Sequence, residues 1–191
     1  MASKTLITCE NYVTLEEPQG MKYELSEGDL IVTPSASFFH NKIGYYLVAT
    51  MGAFAESQGL GDVIGETDVR LIGETVRRPD AAFFRAGHLR GIDLDRVPLP
   101  VVPDLVIEIV SRTDSAGDLI VKVQQYLVAG AKAVWLLYPN SRLAYRYLPD
   151  RPEPQVLTAA AHHRLEEPEL LPGFSLPIEQ IFALAVTQDS L

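Results

Sequence analysis

The sequence predicts an α/β or α+β fold, with a mixed central β-sheet flanked by helices and an N-terminal β-hairpin. Three patterns favour this class: an amphipathic helix over residues 38–58, an apolar strand over residues 105–110, and a strand-helix-strand order over residues 105–139. An apolar run without alternation is typical of a strand buried on both faces, and such burial requires helices on both sides of the sheet.

The bulk composition sets the scale of the fold. The chain has 191 residues, of which 47% are hydrophobic and 21% charged, and it shows no internal repeat or long linker. A chain of this size can bury a substantial core. We expect one domain over residues 1–191, without a membrane-spanning helix, because no apolar run approaches the roughly 20 residues that a membrane helix requires.

The N-terminal half begins with a predicted hairpin. Tyr23 and Leu25 alternate with polar residues before the turn at residues 27–29, and an apolar strand follows up to Pro34. The next segment has apolar residues spaced by three and four up to Gly59, which is typical of a helix that packs one face on a sheet. These apolar positions are Phe39, Ile43, Leu47, Met51 and Phe54.

The rest of the chain alternates between strands and helices. We expect extended segments at 61–72, 79–84 and 103–111, and then a helix capped by Asp114 or Ser115 and closed at Gly130. A buried strand follows at 133–139. Further strands are predicted at 144–148 and around Val156, before a short apolar tail at 178–185.

Charge and cysteine content narrow the possible functions and locations. The net charge of −9 disfavours long-range attraction to nucleic acid or anionic membranes, although a local basic groove or bound cations can offset it. The single cysteine excludes an intramolecular disulfide and a cysteine-built zinc site. With no secretory signal pattern in the first residues, these features predict a cytoplasmic protein.

Three charged side chains on successive elements indicate chemistry. Asp80 opens one strand, Glu108 lies inside the next, and Lys122 lies on the following helix. A glutamate in an apolar strand is costly to bury unless a cation or hydrogen bonds compensate its charge. The combination predicts a functional site. Each residue alone also fits a structural role: Asp80 in a turn, Glu108 facing an arginine, and Lys122 paired with Asp118 on its own helix.

The segments that carry these residues resemble the Uma2 family of restriction-endonuclease-like proteins, which is similar to the PD-(D/E)XK nucleases. The resemblance rests on RPDAAFF, PDLVIEIVS and DLIVKVQQYLVAGAKAVWLLYP and covers roughly residues 20–150, with residues 151–191 as a C-terminal extension. It implies a restriction-endonuclease-like sheet, with Asp80 and Glu108 as metal ligands.

The sequence departs from the nuclease pattern at the lysine. Val110 stands where the lysine that orients the nucleophile is expected, and the resemblance implies that Lys122 replaces it from the helix. Ala133 and Tyr138 stand where the family commonly has acidic residues, but neither change removes a proposed ligand. Asp104 lies four residues before Glu108, some 13 Å along a strand at about 3.3 Å per residue, and cannot share its metal without a bend.

Other polar residues are weaker candidates. Glu24 matches a glutamate that the family often has near its front, which implies an extra ligand or orienting base, and a surface position on the hairpin is equally open. His40 could contact a phosphate or relay a proton, although a histidine at the start of a helix is more often solvated or packed. Gln125 and Tyr126 fall on the same helix face as Lys122 and could surround it, while His162 and His163 lack a carboxylate at helical spacing.

These residues predict a Mg²⁺- or Mn²⁺-dependent endonuclease that hydrolyses phosphodiester bonds in DNA, because hard carboxylates suit these cations and leave positions for waters and a phosphate. RNA or branched nucleic acid would use the same chemistry. The alternative is a binding or interaction module that keeps the fold with little or no cleavage. A homodimer is expected, because cutting two strands benefits from two symmetry-related sites.

Overall fold

The structure, a computed structural model, describes residues 6–184. The strands are β1 Met21–Ser26, β2 Asp29–Pro34, β3 Gly61–Ile64, β4 Val69–Arg70, β5 Val76–Arg77, β6 Ala81–Arg85, β7 Leu105–Ile109, β8 Ala133–Tyr138, β9 Leu143–Tyr147, β10 Gln155–Thr158, β11 Arg164–Leu165 and β12 Leu176–Pro177. The α-helices are α1 Cys9–Tyr12, α2 Phe38–Ser57, α3 Ala116–Ala129 and α4 Ile178–Ala183.

A six-stranded mixed sheet forms the centre of the fold, in the order β10-β9-β8-β7-β6-β3. Strands β7 and β8 pair in parallel, with Ile107 opposite Trp135, and the other neighbours are antiparallel. All five residues of β7 are buried, as the apolar pattern predicts for a strand covered on both faces. The predicted mixed sheet flanked by helices is therefore confirmed.

The two long helices cover opposite faces of this sheet. On one face, Ile43 and Leu47 of α2 share a hydrophobic cluster with Phe83 and Trp135 of the strands. On the other face, Val123 of α3 belongs to a second cluster. The helix ends match the sequence signals: Ser37 caps α2, and Ser115, of the two predicted caps, accepts a hydrogen bond from the backbone N–H of Asp118.

A smaller sheet lies beside the first, in the order β2-β1-β5-β4, and contains the predicted hairpin. The sequence prediction of one extended segment over residues 61–72 is wrong. The chain turns at Glu66, whose φ is 47°, so that β3 joins the large sheet and β4 the small one. Strand β5 has only two residues, too short for its alternation to be visible in the sequence.

The C-terminal segment packs against the face of the large sheet that α2 covers. Strands β9 and β10 lie where strands were predicted, and the apolar tail forms α4 as far as Ala183; its last residue lies outside the described residues. Phe174 contacts Phe54 of α2 edge to face, with ring centroids 5.5 Å apart. Within residues 6–184, no helix is long and apolar enough to cross a membrane.

Candidate active site

A cavity of about 760 Å³ opens at the end of the large sheet where β7 terminates. Its wall is built from the hairpin, the start of α2, the segment before β6, the end of β7 and the first turns of α3. All four residues predicted as catalytic line it, together with His40: these are Glu24, Asp80, Glu108 and Lys122. The fold therefore brings together side chains that are spread over 99 positions of the sequence.

Asp80 links three elements at the edge of the cavity. It directly precedes β6, and its Oδ2 accepts a hydrogen bond of 2.6 Å from the backbone N–H of Ile109 at the end of β7. Its Oδ1 lies 2.8 Å from Nε2 of His40 in the first turn of α2. The carboxylate is thus fixed in place, and its role is more than to close a local turn.

Glu108 points from β7 toward α3. Its side chain is nearly buried, and both carboxylate oxygens have partners on that helix: Lys122 Nζ lies 2.9 Å from Oε2, and the Tyr126 hydroxyl donates to Oε1 at 2.8 Å. Lys122 and Tyr126 are four residues apart on a helix, so they face the same strand. The structural alternative, in which Lys122 pairs with Asp118, is wrong, since Asp118 bonds to Ser115 instead.

Glu24 reaches the cavity from the middle of β1. Its Oε1 lies 2.9 Å from Lys122 Nζ and accepts a hydrogen bond from the backbone N–H of Arg78, while its Oε2 lies 3.0 Å from Arg77. Glu24 is 9% exposed, so the alternative of a surface hairpin glutamate is wrong. Lys122 therefore lies between two carboxylates, Glu24 and Glu108.

The two carboxylates that share Lys122 differ in their affinity for protons. Burial raises the pKa of Glu108 to about 7, with Lys122 opposing the rise and the charges of Asp80 and Glu24 adding to it. Burial also acts to raise the pKa of Glu24, but Lys122 and Arg77 outweigh it, and the pKa lies below the ordinary value. Glu24 is therefore the partner of Lys122 that keeps its negative charge at neutral pH.

The pKa values of the two cationic groups of the site, Lys122 and His40, are both raised. Burial disfavours charge on Lys122, but Glu108 and Glu24 outweigh it and raise the pKa of the ammonium above its ordinary value. For His40, burial acts to lower the pKa, but the hydrogen bond and the charge of Asp80 outweigh burial, and the pKa lies above its ordinary value. Lys122 is a stable cation at neutral pH and not a proton acceptor.

The donor set can be compared with what a metal ion requires. Within residues 6–184, no three or more His, Cys, Asp or Glu side chains are grouped so that they could hold a metal ion. Asp80 and Glu108 nevertheless line one cavity, and each of their oxygens keeps a lone pair beyond its present hydrogen bond. Mg²⁺ is usually held by one or two carboxylates, with waters and substrate phosphates completing its shell. The residues fit that arrangement and not an all-protein cage.

The remaining sequence candidates lie elsewhere or support the site. Asp104, the possible competitor, is bound by Arg85 and His88 at the opposite end of β7. His162 lies near Glu179, and the His163 ring accepts a hydrogen bond from a backbone N–H, so neither belongs to the cavity. Tyr126 is both a core residue and a hydrogen-bond partner of Glu108.

Sequence reasoning missed the arginines that precede Asp80. Arg77 is 3% exposed and binds Glu24 and Gln125, and Arg78 pairs with Asp68 and Glu17. The signal was present in the Arg-Arg-Pro-Asp run, because two consecutive arginines entering an apolar strand require carboxylate partners if they are buried.

The sequence matches the Uma2 family, described as "Putative restriction endonuclease", over residues 9–179. A solved structure described as "a putative nuclease belonging to DUF820" from Anabaena variabilis superimposes with a TM-score of 0.82 at 21% identity, covering 93% of this chain and 98% of that one. This similarity shows a shared fold.

A DrdV-DNA complex solved by cryo-electron microscopy aligns with a TM-score of 0.39 at 18% identity, over 72% of this chain and 11% of that one. No curated protein matches the sequence. Since the family match covers most of the chain, the protein belongs to the Uma2 family.

Proposed function

We propose that this member of the Uma2 family is a Mg²⁺- or Mn²⁺-dependent endonuclease of the PD-(D/E)XK type that hydrolyses phosphodiester bonds in DNA. One observation carries the proposal: Asp80, Glu108 and Lys122 come from three different elements and line a single cavity beside Glu24. A buried glutamate with a raised pKa, next to a second carboxylate and a buried lysine, is typical of a functional site rather than of a core.

In this proposal Asp80 and Glu108 hold the metal ion. When bound, the metal polarises the phosphodiester and lowers the pKa of a coordinated water. The carboxylate of Asp80 is already oriented by the Ile109 N–H and by His40. Glu108 is positioned by Tyr126, and it must lose its proton to serve as a ligand.

Lys122 acts through its charge. Because neighbouring carboxylates raise its pKa, the ammonium stays protonated, and it can orient the attacking water or stabilise negative charge that develops on the phosphate oxygens. This is the role of the lysine that the nuclease pattern has at the position of Val110. The helix supplies the same charge to the cavity from a position 14 residues beyond Glu108.

Glu24 is a positioning residue in this mechanism. Its oxygens are occupied by Lys122, Arg77 and the Arg78 N–H. It therefore fixes the lysine ammonium and keeps it charged, and it is a poorer metal ligand than Asp80 or Glu108. Lys122 divides its positive charge between Glu24 and Glu108. Arg77, which is held in place by Gln125, supplies the further positive charge that neutralises Glu24.

A second candidate function is an interaction module with little cleavage activity. It is favoured by the pairing of Lys122 with both Glu24 and Glu108, which neutralises much of the cavity's charge without a metal. It is also favoured by the net charge of −9, which opposes nucleic-acid binding. This alternative predicts a bound partner without metal-dependent chemistry.

The test is cleavage of supercoiled plasmid and single-stranded DNA in Mg²⁺, Mn²⁺ or EDTA, with RNA and branched DNA in parallel. We expect metal-dependent cutting by the wild type and its loss in Asp80→Ala and Lys122→Ala, because each removes a charge from the cavity. Lys132→Ala is the matched control, since Lys132 is exposed and outside the cavity. Absence of cutting by the wild type, together with no Mn²⁺ binding by calorimetry, would favour the interaction module.

The proposal includes a homodimer that acts in the cytoplasm. Two copies would present two cavities to the two strands of a duplex. Sedimentation equilibrium of the purified chain measures this directly, and a monomer at all concentrations would remove the dimer from the proposal while leaving single-strand cleavage possible.

A further inference from the structure

The cavity carries more cationic side chains than its chemistry uses. Among residues 6–184, five lysine and arginine residues line it. They are Lys22, Arg77, Arg78, Arg112 and Lys122. A nucleic-acid substrate brings negative phosphates into this space, and each phosphate requires a cation that is able to leave its present partner.

Four of these cations already have carboxylate partners. Lys22 pairs with Glu66, and Arg78 pairs with Glu17 and Asp68. Arg77 and Lys122 are likewise bound to the buried carboxylates of the site. Moving Arg77 or Lys122 to a phosphate would leave Glu24 or Glu108 in the cavity without its cation, which is unfavourable because both carboxylates are buried. Moving Lys22 or Arg78 would break an ion pair with a carboxylate outside the cavity.

Arg112 differs from the other four. It lies in the loop between β7 and α3, is exposed, and has no hydrogen-bond or ion-pair partner among residues 6–184. The acidic neighbour that could neutralise it is engaged elsewhere, because Asp114 accepts a hydrogen bond of 2.7 Å from the backbone N–H of Ser111. The hydroxyls of Ser111 and Thr113 bond to each other at 2.8 Å, so the loop is braced on both sides of Arg112.

We propose that Arg112 is a phosphate-binding residue that grips the backbone of the nucleic acid beside the cleavage site. The proposal rests on the proposed function and adds the residue that holds the substrate. A guanidinium offers paired N–H donors that match two oxygens of one phosphate, and it stays charged at every relevant pH. Arg112 can form this contact without breaking any ion pair of the site.

The experiment measures binding separately from cleavage. A fluorescein-labelled DNA duplex is titrated with the full chain in EDTA, which prevents metal-dependent cutting, and the anisotropy is followed at several salt concentrations. The proteins are the wild type, Arg112→Gln, Arg112→Lys and Arg90→Gln. Arg90 is exposed and lies outside the cavity, and its substitution changes the net charge equally, so it is the matched control.

We expect Arg112→Gln to weaken binding severalfold and to reduce the slope of log K against log salt by about 0.9, the value for one lost phosphate contact. Arg112→Lys should restore the slope with part of the affinity, because a lysine keeps the charge but lacks the paired donors. In Mg²⁺, the cleavage assay should show a raised KM for Arg112→Gln with a smaller change in kcat.

Equal slopes for Arg112→Gln and Arg90→Gln would overturn the assignment, as would a wild type that binds no DNA at all. Cleavage is scored independently. If the wild type cuts DNA and substitution of Arg112 has no specific effect, the proposed nuclease function stands and the phosphate-binding role of Arg112 is wrong. If the wild type binds DNA through Arg112 but does not cut it, the phosphate-binding role of Arg112 stands and the proposed nuclease function is wrong.

Discussion

Glu108 and Glu167 are both buried acidic side chains, yet their surroundings differ. Glu167 is 2% exposed and accepts hydrogen bonds from the Trp135 indole and from the Arg146 guanidinium through both oxygens, with Arg146 NH2 at 2.8 Å. Its partners Trp135 and Arg146 occupy both oxygens, and Arg146 also donates a hydrogen bond to Gln155. Glu167, Trp135 and Arg146 all lie outside the cavity. Glu108 is 6% exposed, shares Lys122 with Glu24, and faces open space.

The difference separates a structural carboxylate from one available for chemistry. A planar guanidinium and an indole N–H satisfy Glu167 with fixed geometry, so its charge is fully compensated. Glu108 is bound by the Tyr126 hydroxyl and by Lys122, whose ammonium is shared with a second carboxylate, Glu24. Burial raises the pKa of Glu108 to about 7, with the charges of Asp80 and Glu24 adding to the rise and Lys122 only partly opposing it, so the group has capacity for a further cation. Burial alone does not distinguish the two residues; the sharing of partners does.

Removing Glu167 should produce the largest change in stability. Glu167→Ala leaves the buried Trp135 N–H without an acceptor and Arg146 without its counter-ion, and we expect a loss of about 3–5 kcal/mol in the free energy of unfolding. Urea denaturation at pH 7 measures this loss. Glu169→Ala, two positions away and exposed, should change stability by less than about 0.5 kcal/mol. Equal effects of the two substitutions would show that Glu167 is not structural.

Glu108→Gln should change stability little and reduce the cleavage rate strongly. It keeps the side chain's shape and leaves Lys122 paired with Glu24, so we expect a change in stability of less than about 1.5 kcal/mol. In the proposed mechanism it removes a metal ligand, and the cleavage rate should fall at least about 100-fold, or about 2.7 kcal/mol in the barrier. A Glu108→Gln protein that cuts at the wild-type rate would contradict the proposed role.

The raised pKa of Glu108 should make the stability of the protein depend on pH. The folded protein holds the Glu108 proton more tightly than the unfolded chain, whose pKa is near 4.5. Its contribution is therefore complete below about pH 4.5 and is lost as the pH rises through about 7. We expect wild-type stability to fall by about 3 kcal/mol across this range relative to Glu108→Gln, since one pKa unit corresponds to about 1.36 kcal/mol.

The free energy of unfolding is measured against pH for the wild type and for Glu108→Gln, and the difference between the two curves isolates the contribution of Glu108. His40, whose raised pKa also favours the folded state at low pH, contributes to both curves, and most of its contribution cancels because Asp80, the main group that raises this pKa, is present in both proteins. Glu24 has the opposite sign, since its lowered pKa contributes stability above its unfolded pKa that is lost only in acid. Parallel curves for wild type and Glu108→Gln between pH 5 and 8 would mean that Glu108 is fully ionised in the folded state.

Some of this comparison could be foreseen from residue patterns. Glu108 was recognisable because it interrupts an apolar strand, and Asp80 and Lys122 because they lie on adjacent elements. Glu167 was not recognisable, since it lies in a polar stretch between Glu166 and Pro168 that resembles a loop. Its burial comes from the packing of the C-terminal segment against β8 and β9, for which the local sequence has no periodic signal.

The sequence by itself determined the two long helices, most strands and the three central candidates, because periodicity and capping are properties of neighbouring residues. Tertiary structure decided that Lys122 pairs with Glu24, 98 positions away, instead of Asp118 on its own helix. It also decided that four cations of the cavity are neutralised and Arg112 is not. Ion pairs depend on distance in space and on burial, and neither quantity is encoded in the spacing of residues along the chain.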